Sequence, residues 1–170
     1  LIDEKGTPVG EDYTLTLATQ YLLSKHPRGQ TVVANLAITK AFEDVARLAG
    51  ASCHYTPIGE INVTEQILAH QALIGGEGNG GVIVPAVHPC RDSFTGMGLV
   101  LEAMATSGRP LSELVAALPQ YVMVKRKFDM SAARAHKVID GLCRHPWGTD
   151  VSLTTVDGLR LDWPDRWCLI

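Results

Sequence analysis

The sequence predicts an α/β fold, a mixed sheet with helices on both faces, followed by a partial α+β piece. Short β-branched runs alternate with stretches of helical apolar spacing over the first two thirds of the chain. Two apolar runs flank a glycine-rich loop, which implies one antiparallel pair in an otherwise parallel sheet. Beyond Pro119 the alternation gives way to a helix and hairpin-like runs.

The elements follow in order. Glu11 to Leu23 carries Leu15, Ala18 and Leu22 at helical spacing. Gly29 resets the chain, and Thr31-Val-Val-Ala-Asn-Leu36 reads as a buried strand. Phe42, Val45, Ala46 and Ala49 share one face of a second helix that Gly50 closes. Ser52 to Thr56 is a short strand. Asn62-Val-Thr-Glu65 has capping-box spacing and should open a third helix carrying Ile67 and Leu68. Leu73-Ile74 and Val82-Ile83-Val84 are the paired strands. Asp92 is an N-cap for a helix with Met97, Val100, Leu101 and Met104, ended by Gly108. Leu111 to Leu118 is a short helix stopped by Pro119.

Residues 1–119 therefore form one expected domain and residues 120–170 a second, truncated one. In the second, Tyr121 to Phe128 reads as a basic strand and Ser131 opens a helix reaching about Arg144. Asp157-Gly158 is a hairpin turn between Asp150–Val156 and Leu159–Trp163, and Trp167 to Ile170 begins another strand. Both chain ends read as cut, so a fragment of a longer protein is expected.

Composition narrows the function. Of 170 residues, 46% are hydrophobic and 19% charged, which excludes a disordered chain. No apolar run is long enough for a membrane span. The net charge is −3 and no basic stripe is present, which argues against nucleic acid. The four cysteines are scattered, as expected for reduced thiols in a cytoplasmic protein, and no secretory signal opens the chain.

The informative segment is Gly75-Gly-Glu-Gly-Asn-Gly-Gly81, in which five of seven residues are glycine. Glycine permits positive φ and lets backbone approach a ligand. Glu77 can accept from two neighbouring hydroxyls, and Asn79 can both donate and accept. On a glycine scaffold, this pair suits a polyol or sugar. A plain glycine-rich hairpin is equally compatible with the spacing. Gly76-x-Gly78-x-x-Gly81 also fits a dinucleotide fingerprint, but that fingerprint needs a following helix, and Val82-Ile-Val-Pro85 reads as strand. The sugar argument expects the Glu77 carboxylate to face an open cleft; burial in a salt bridge away from any cleft would remove it.

Other candidates have plainer readings. Cys53-His54 with His88 and Cys90 lacks paired zinc-ligand spacing, so buried Cys and satisfied His are expected. Cys143 and His145 have no orienting third group. Asp162 to Arg166 reads as a turn, Lys125-Arg-Lys127 as a solvated strand edge, and Met97 with Met104 as core filler.

The stretches Pro57-Ile-Gly-Glu-Ile-Asn-Val63, Ala72 to Ile83 and His88-x-Cys-Arg-Asp92 together resemble the α-D-phosphohexomutase superfamily, which includes phosphomannomutase/phosphoglucomutase and phosphoglucosamine mutase. The resemblance implies that residues 1–119 correspond to the third of four domains and the rest to the start of a TATA-box-binding-protein-like fourth. It implies a phosphoryl shift between the 1- and 6-positions of a hexose through a phosphoserine, a bisphosphorylated intermediate and Mg2+, with hexose phosphate and the enzyme's other domains as partners. Glu77 matches the family's sugar-binding glutamate, with Asn79 and Gly78 beside it, and Gly59 and Glu60 fall on a loop near the sugar. Arg91 and Asp92 belong to the same pattern, Asp92 also serving as a helix cap. Cys90 stands where relatives usually have glycine, and Asn35 to Lys40 departs from a Ser-rich loop. The serine loop and the metal loop have no counterpart here, so the resemblance implies neither catalytic residues nor metal ligands in this chain and an inactive fragment. The alternatives are a nucleotide-binding module using the glycine loop, or a non-catalytic interaction domain.

Overall fold

Val32, Val33 and Ala34 are apolar and fully enclosed, and they form the middle of the central strand β1 (Thr31–Asn35). The computed structural model describes all of residues 1–170, which divide into two units, Leu1–Tyr121 and Val122–Ile170. The first unit runs α1 (Glu11–Ser24), β1, α2 (Lys40–Ala49), β2 (Ser52–Thr56), α3 (Glu60–Ala69), β3 (Ile74–Gly76), β4 (Val82–Ile83), α4 (Ser93–Ser107) and α5 (Leu111–Ala116). Its sheet has the order β2-β1-β3-β4. Strand β1 is parallel to β2 and β3, and β4 returns antiparallel with Gly76 opposite Val82. The sheet is mixed, as the sequence predicts.

The connections decide which face each helix covers. The chain leaves β1 through α2 to β2, then crosses back past β1 through α3 to β3. Right-handed crossovers in opposite directions place α2 and α3 on opposite faces. Strand residues alternate accordingly. Val32, Ala34, Ile74 and Val82 join the larger core with Leu15 of α1, Phe42 of α2 and Val100 of α4. Val33 and Ile83 join a smaller core with Val63 and Ile67 of α3. Each fully buried Leu, Ile or Phe contributes about 1.5–3 kcal/mol.

Several helix ends follow their expected signals. Gly50 closes α2 in the left-handed conformation, φ 69°. Asp92 caps α4, accepting from Phe94 N at 2.8 Å and from the Thr95 hydroxyl at 2.6 Å. At α3 the expectation is corrected. The helix starts at Glu60 behind Gly59, and Asn62 lies inside it, donating to Ile58 O at 2.9 Å. Gly59, at φ 123°, turns the chain before the capping-box residues are reached. The two methionines also differ: Met104 packs on the larger core, whereas Met97 is 41% exposed.

The second unit contains α6 (Ala132–Cys143), β5 (Ser152–Thr154), β6 (Arg160–Asp162) and β7 (Trp167–Leu169) in an antiparallel sheet. Gly158, at φ 73°, makes the expected turn between β5 and β6. Tyr121 to Phe128 forms no strand. Alternating apolar residues become a strand only with a partner ladder, and this segment pairs with none.

Candidate functional site

Parallel strands β1, β2 and β3 end at one edge of the sheet, the edge where open α/β sheets bind ligands. Asn35 is the last residue of β1, Gly59 and Glu60 follow β2, and Glu77 follows β3. The register Ala34↔Gly76 sets Asn35 and Glu77 side by side. Folding thus brings together residues far apart in sequence at the carboxyl ends of three strands.

The glycine loop closes on itself. Glu77 N donates to Gly81 O at 3.1 Å, and Gly80 N donates to Glu77 O at 3.0 Å. Asn79 Oδ1 accepts from Gly81 N at 3.2 Å, which assigns its Nδ2 as the side-chain donor left for a ligand. Asn79 is exposed. Positive φ occurs only at Gly80 within this loop (φ 88°). Gly78 is needed for close approach instead: a Cβ there would strike the carbonyl of Ala37 in the loop after β1.

Glu77 is held from both sides. Asn35 Nδ2 donates to Glu77 Oε1 at 3.2 Å. Arg91 Nη1 lies 3.0 Å from Glu77 Oε2. The side chain of Glu77 is 6% exposed, that of Arg91 43%. The expectation of an open carboxylate is therefore corrected. An acid among glycines has little cover of its own, but β1 and the loop before α4 both reach it, and their donors close over it. The carboxylate is not remote from open space, however. Its cover Arg91 and its neighbour Asn79 both line a concavity of about 750 Å³, with Glu11, Thr14, Ser93 and Met97.

Glu60 is engaged by the same loop. Its Oε1 accepts from Arg91 N at 2.7 Å and its Oε2 from Arg91 Nε at 2.8 Å. The Arg91 backbone N–H, aided by the guanidinium, holds the Glu60 carboxyl below its ordinary 4.5. The Glu60 hydrogen bond raises Arg91 in turn, and the charge of Glu77 adds to it. Burial, with a hydrogen bond to Glu60, pushes the exposed Cys90 thiol up, away from thiolate reactivity. Glu60, Arg91 and Glu77 form a chain of ion pairs with a net charge of −1. Such a chain suits a neutral polyol better than a second anion.

In the sequence Asn35 stands only as a departure from a Ser-rich loop, and Arg91 only as part of the His88-x-Cys-Arg-Asp92 pattern, with no role of its own. The signal for Asn35 was one polar residue closing a buried β-branched run. No local signal marks Arg91, whose position depends on three separate loops. No helix opens at Gly81, where β4 follows, so the dinucleotide geometry is absent. No three His, Cys, Asp or Glu side chains converge into a cation site. His54 and His70 stack with ring centroids 4.1 Å apart, away from His88 in the chain and without a shared ligand set. No helix is long and apolar enough to cross a membrane.

Comparison with known proteins bears on family and fold. Residues 10–122 match the family described as phosphoglucomutase/phosphomannomutase, alpha/beta/alpha domain III. A phosphoglucomutase/phosphomannomutase of Thermococcus kodakarensis is 30% identical over 169 residues, covering 99% of this chain and 37% of the relative. A phosphoglucosamine/phosphogalactosamine mutase of Sulfurisphaera tokodaii is 26% identical, covering 99% of this chain and 38% of the relative. The crystal structure of a phosphoglucomutase/phosphomannomutase family protein from Burkholderia thailandensis superposes with a TM-score of 0.80 at 23% identity, over 99% of this chain and 36% of that one, a likeness of fold. The chain thus spans little more than a third of the length of these relatives. On the family match across most of its length, this chain belongs to the phosphoglucomutase/phosphomannomutase family, whose alpha/beta/alpha domain III it contains.

Proposed function

We propose that this chain is the sugar-binding portion of a phosphohexomutase that interconverts hexose 1-phosphate and 6-phosphate through a bisphosphorylated intermediate. Residues 1–119 act as the sugar-binding domain and 120–170 as the start of a TATA-box-binding-protein-like C-terminal domain. Glu77 accepts from two vicinal hydroxyls of the ring, Asn79 donates through Nδ2, and Gly78 holds the loop against β1. Gripping the middle of the ring lets one carboxylate serve both orientations of the sugar, which a 1,6-shift requires. Gly59 starts α3 and so places Glu60 on Arg91. The observation that carries the reading is the pairing of Glu77 with Asn35 at the carboxyl ends of β1 and β3, beside the concavity.

The phosphoserine and Mg2+ of the mutase reaction belong to other domains of the complete polypeptide. The residues present here do not fit a magnesium site, since no three candidate ligands converge. The part of the reaction that falls to these residues is binding and orientation of the hexose. The test is mutase turnover of glucose, mannose and glucosamine phosphates by the complete polypeptide. Glu77→Gln should lower kcat/KM by at least tenfold, since hydrogen bonds to a charged group contribute about 1.5–3 kcal/mol. Unchanged kcat/KM with every sugar phosphate would remove the role of Glu77.

A further inference from the structure

We propose that Arg91 is a positioning residue that caps Glu77 in the unliganded protein, and that the sugar's hydroxyls enter by taking the place of Arg91 Nη1 while Arg91 Nε stays on Glu60. The inference rests on the sugar-binding reading and deepens it.

Of the two partners of Glu77, only one can move. Asn35 is 3% exposed and its Oδ1 accepts from both Ala37 N and Gly78 N, so its amide is fixed. Arg91 is 43% exposed along its side chain and lines the concavity. A hydroxyl approaching a carboxylate that is 6% exposed must displace this guanidinium.

Displacement leaves the cation paired and the carboxylate hydrogen-bonded. Glu60 takes both the main-chain N–H and Nε of Arg91, so the guanidinium can pivot about its Nε contact and keep a counter-ion. The hydroxyls replace the lost donor on Glu77. Without Glu60, release of Nη1 would strand a cation, a costly step in a partly buried site. The roles of the two acids therefore differ. Glu77 faces the sugar, and Glu60 acts through Arg91.

Gly81 supplies an independent observation. Its φ is not positive, so the turn does not demand glycine there. A Cβ on Gly81 would instead fall on Arg91 Cδ. The bare backbone at 81 is the bed on which the Arg91 stem lies. Gly81→Ala should lift the cap while leaving every charged group in place.

The experiment uses the complete polypeptide, with glucose 1-phosphate and mannose 1-phosphate as probes. Binding is read by calorimetry and turnover by steady-state kinetics. Removing the cap should strengthen ground-state binding, because the free state loses an ion pair that the bound state has already given up. Arg91→Met and Gly81→Ala should each lower Kd and KM by about fivefold, as expected for a partly exposed pair, with kcat unchanged. Arg91→Lys should restore both constants only in part, because one ammonium cannot grip Glu60 and cover Glu77 at once. Should Arg91→Met fail to fold, Gly81→Ala carries the test. Weaker or unchanged sugar binding in the cap variants, with binding lost in Glu77→Gln, would overturn the capping role and leave the sugar site standing. Intact binding in Glu77→Gln would overturn both.

Discussion

Asn35 Nδ2 donates to Glu77 Oε1 at 3.2 Å while Asn35 Oδ1 accepts from Gly78 N at 3.1 Å, so one buried amide fixes both the acid and the backbone of its loop. The two backbone N–H groups on Oδ1 leave Nδ2 only one orientation, towards the carboxylate. The end of β1 is thereby coupled to the hairpin that follows β3.

Asn35→Ala leaves the Gly78 N–H and one carboxylate oxygen without this partner. Chemical denaturation should report a loss of about 1–3 kcal/mol. Asn35→Asp should destabilise more at pH 7 than at pH 4, because a second carboxylate would then face Glu77. Equal stability of Asn35→Asp and wild type at pH 7 would contradict this geometry.

Gly78→Ala drives a methyl group into the Ala37 carbonyl, and neither backbone segment can yield cheaply. The expected cost is about 1–3 kcal/mol, with sugar binding lost as the hairpin shifts. Gly98 is the control. It lies in α4 with nothing within 4 Å of its Cβ position, so Gly98→Ala should stabilise by about 0.5–1 kcal/mol. Thermal melts that moved in the same direction for both variants would count against the packing described.

Glu60 titrates below its ordinary 4.5 because it is hydrogen-bonded by Arg91. A lowered folded-state value means stability that is full above 4.5 and lost as pH falls through the folded value. Wild type should therefore lose stability from near pH 4.5 downward, and Glu60→Gln should flatten that limb. Coincident acid-unfolding curves for the two proteins would show that the Arg91 contact contributes nothing.

Tyr121 behaves oppositely. Burial, and then its 2.8 Å hydrogen bond to Asp44 Oδ2, raise the phenol from 10.0 to about 12. The phenol is neutral at pH 7. A raised value means that its contribution is full below pH 10 and lost as pH rises through about 12. Alkaline unfolding should begin in that window, and Tyr121→Phe should weaken the fold at pH 8 while removing much of the alkaline limb. Tyr13 would still contribute, since burial raises it too, against the opposing pull of the hydrogen bond that its hydroxyl accepts from Tyr121 N at 2.8 Å. An alkaline limb that is identical in Tyr121→Phe would refute the assignment.

Elements whose signals are local were legible along the chain. Thr31 to Asn35 is buried strand because its β-branched run has no charge. Gly50 and Gly108 end helices because only a left-handed residue fits there, and Asp92 begins one because its carboxylate meets free N–H groups. The motif around Glu77 was legible for the same reason, as a rare local composition. Tertiary structure alone decided what surrounds that acid. Asn35 reaches it through the register of β1 and β3, and Arg91 reaches it from a third loop while gripping Glu60 on a fourth. Tyr121 to Phe128 shows the same limit from the other side, since its alternation could not reveal that no ladder awaited it. Burial and ion pairing are set by groups that meet only after the sheet has closed, and no spacing along the chain encodes those distances.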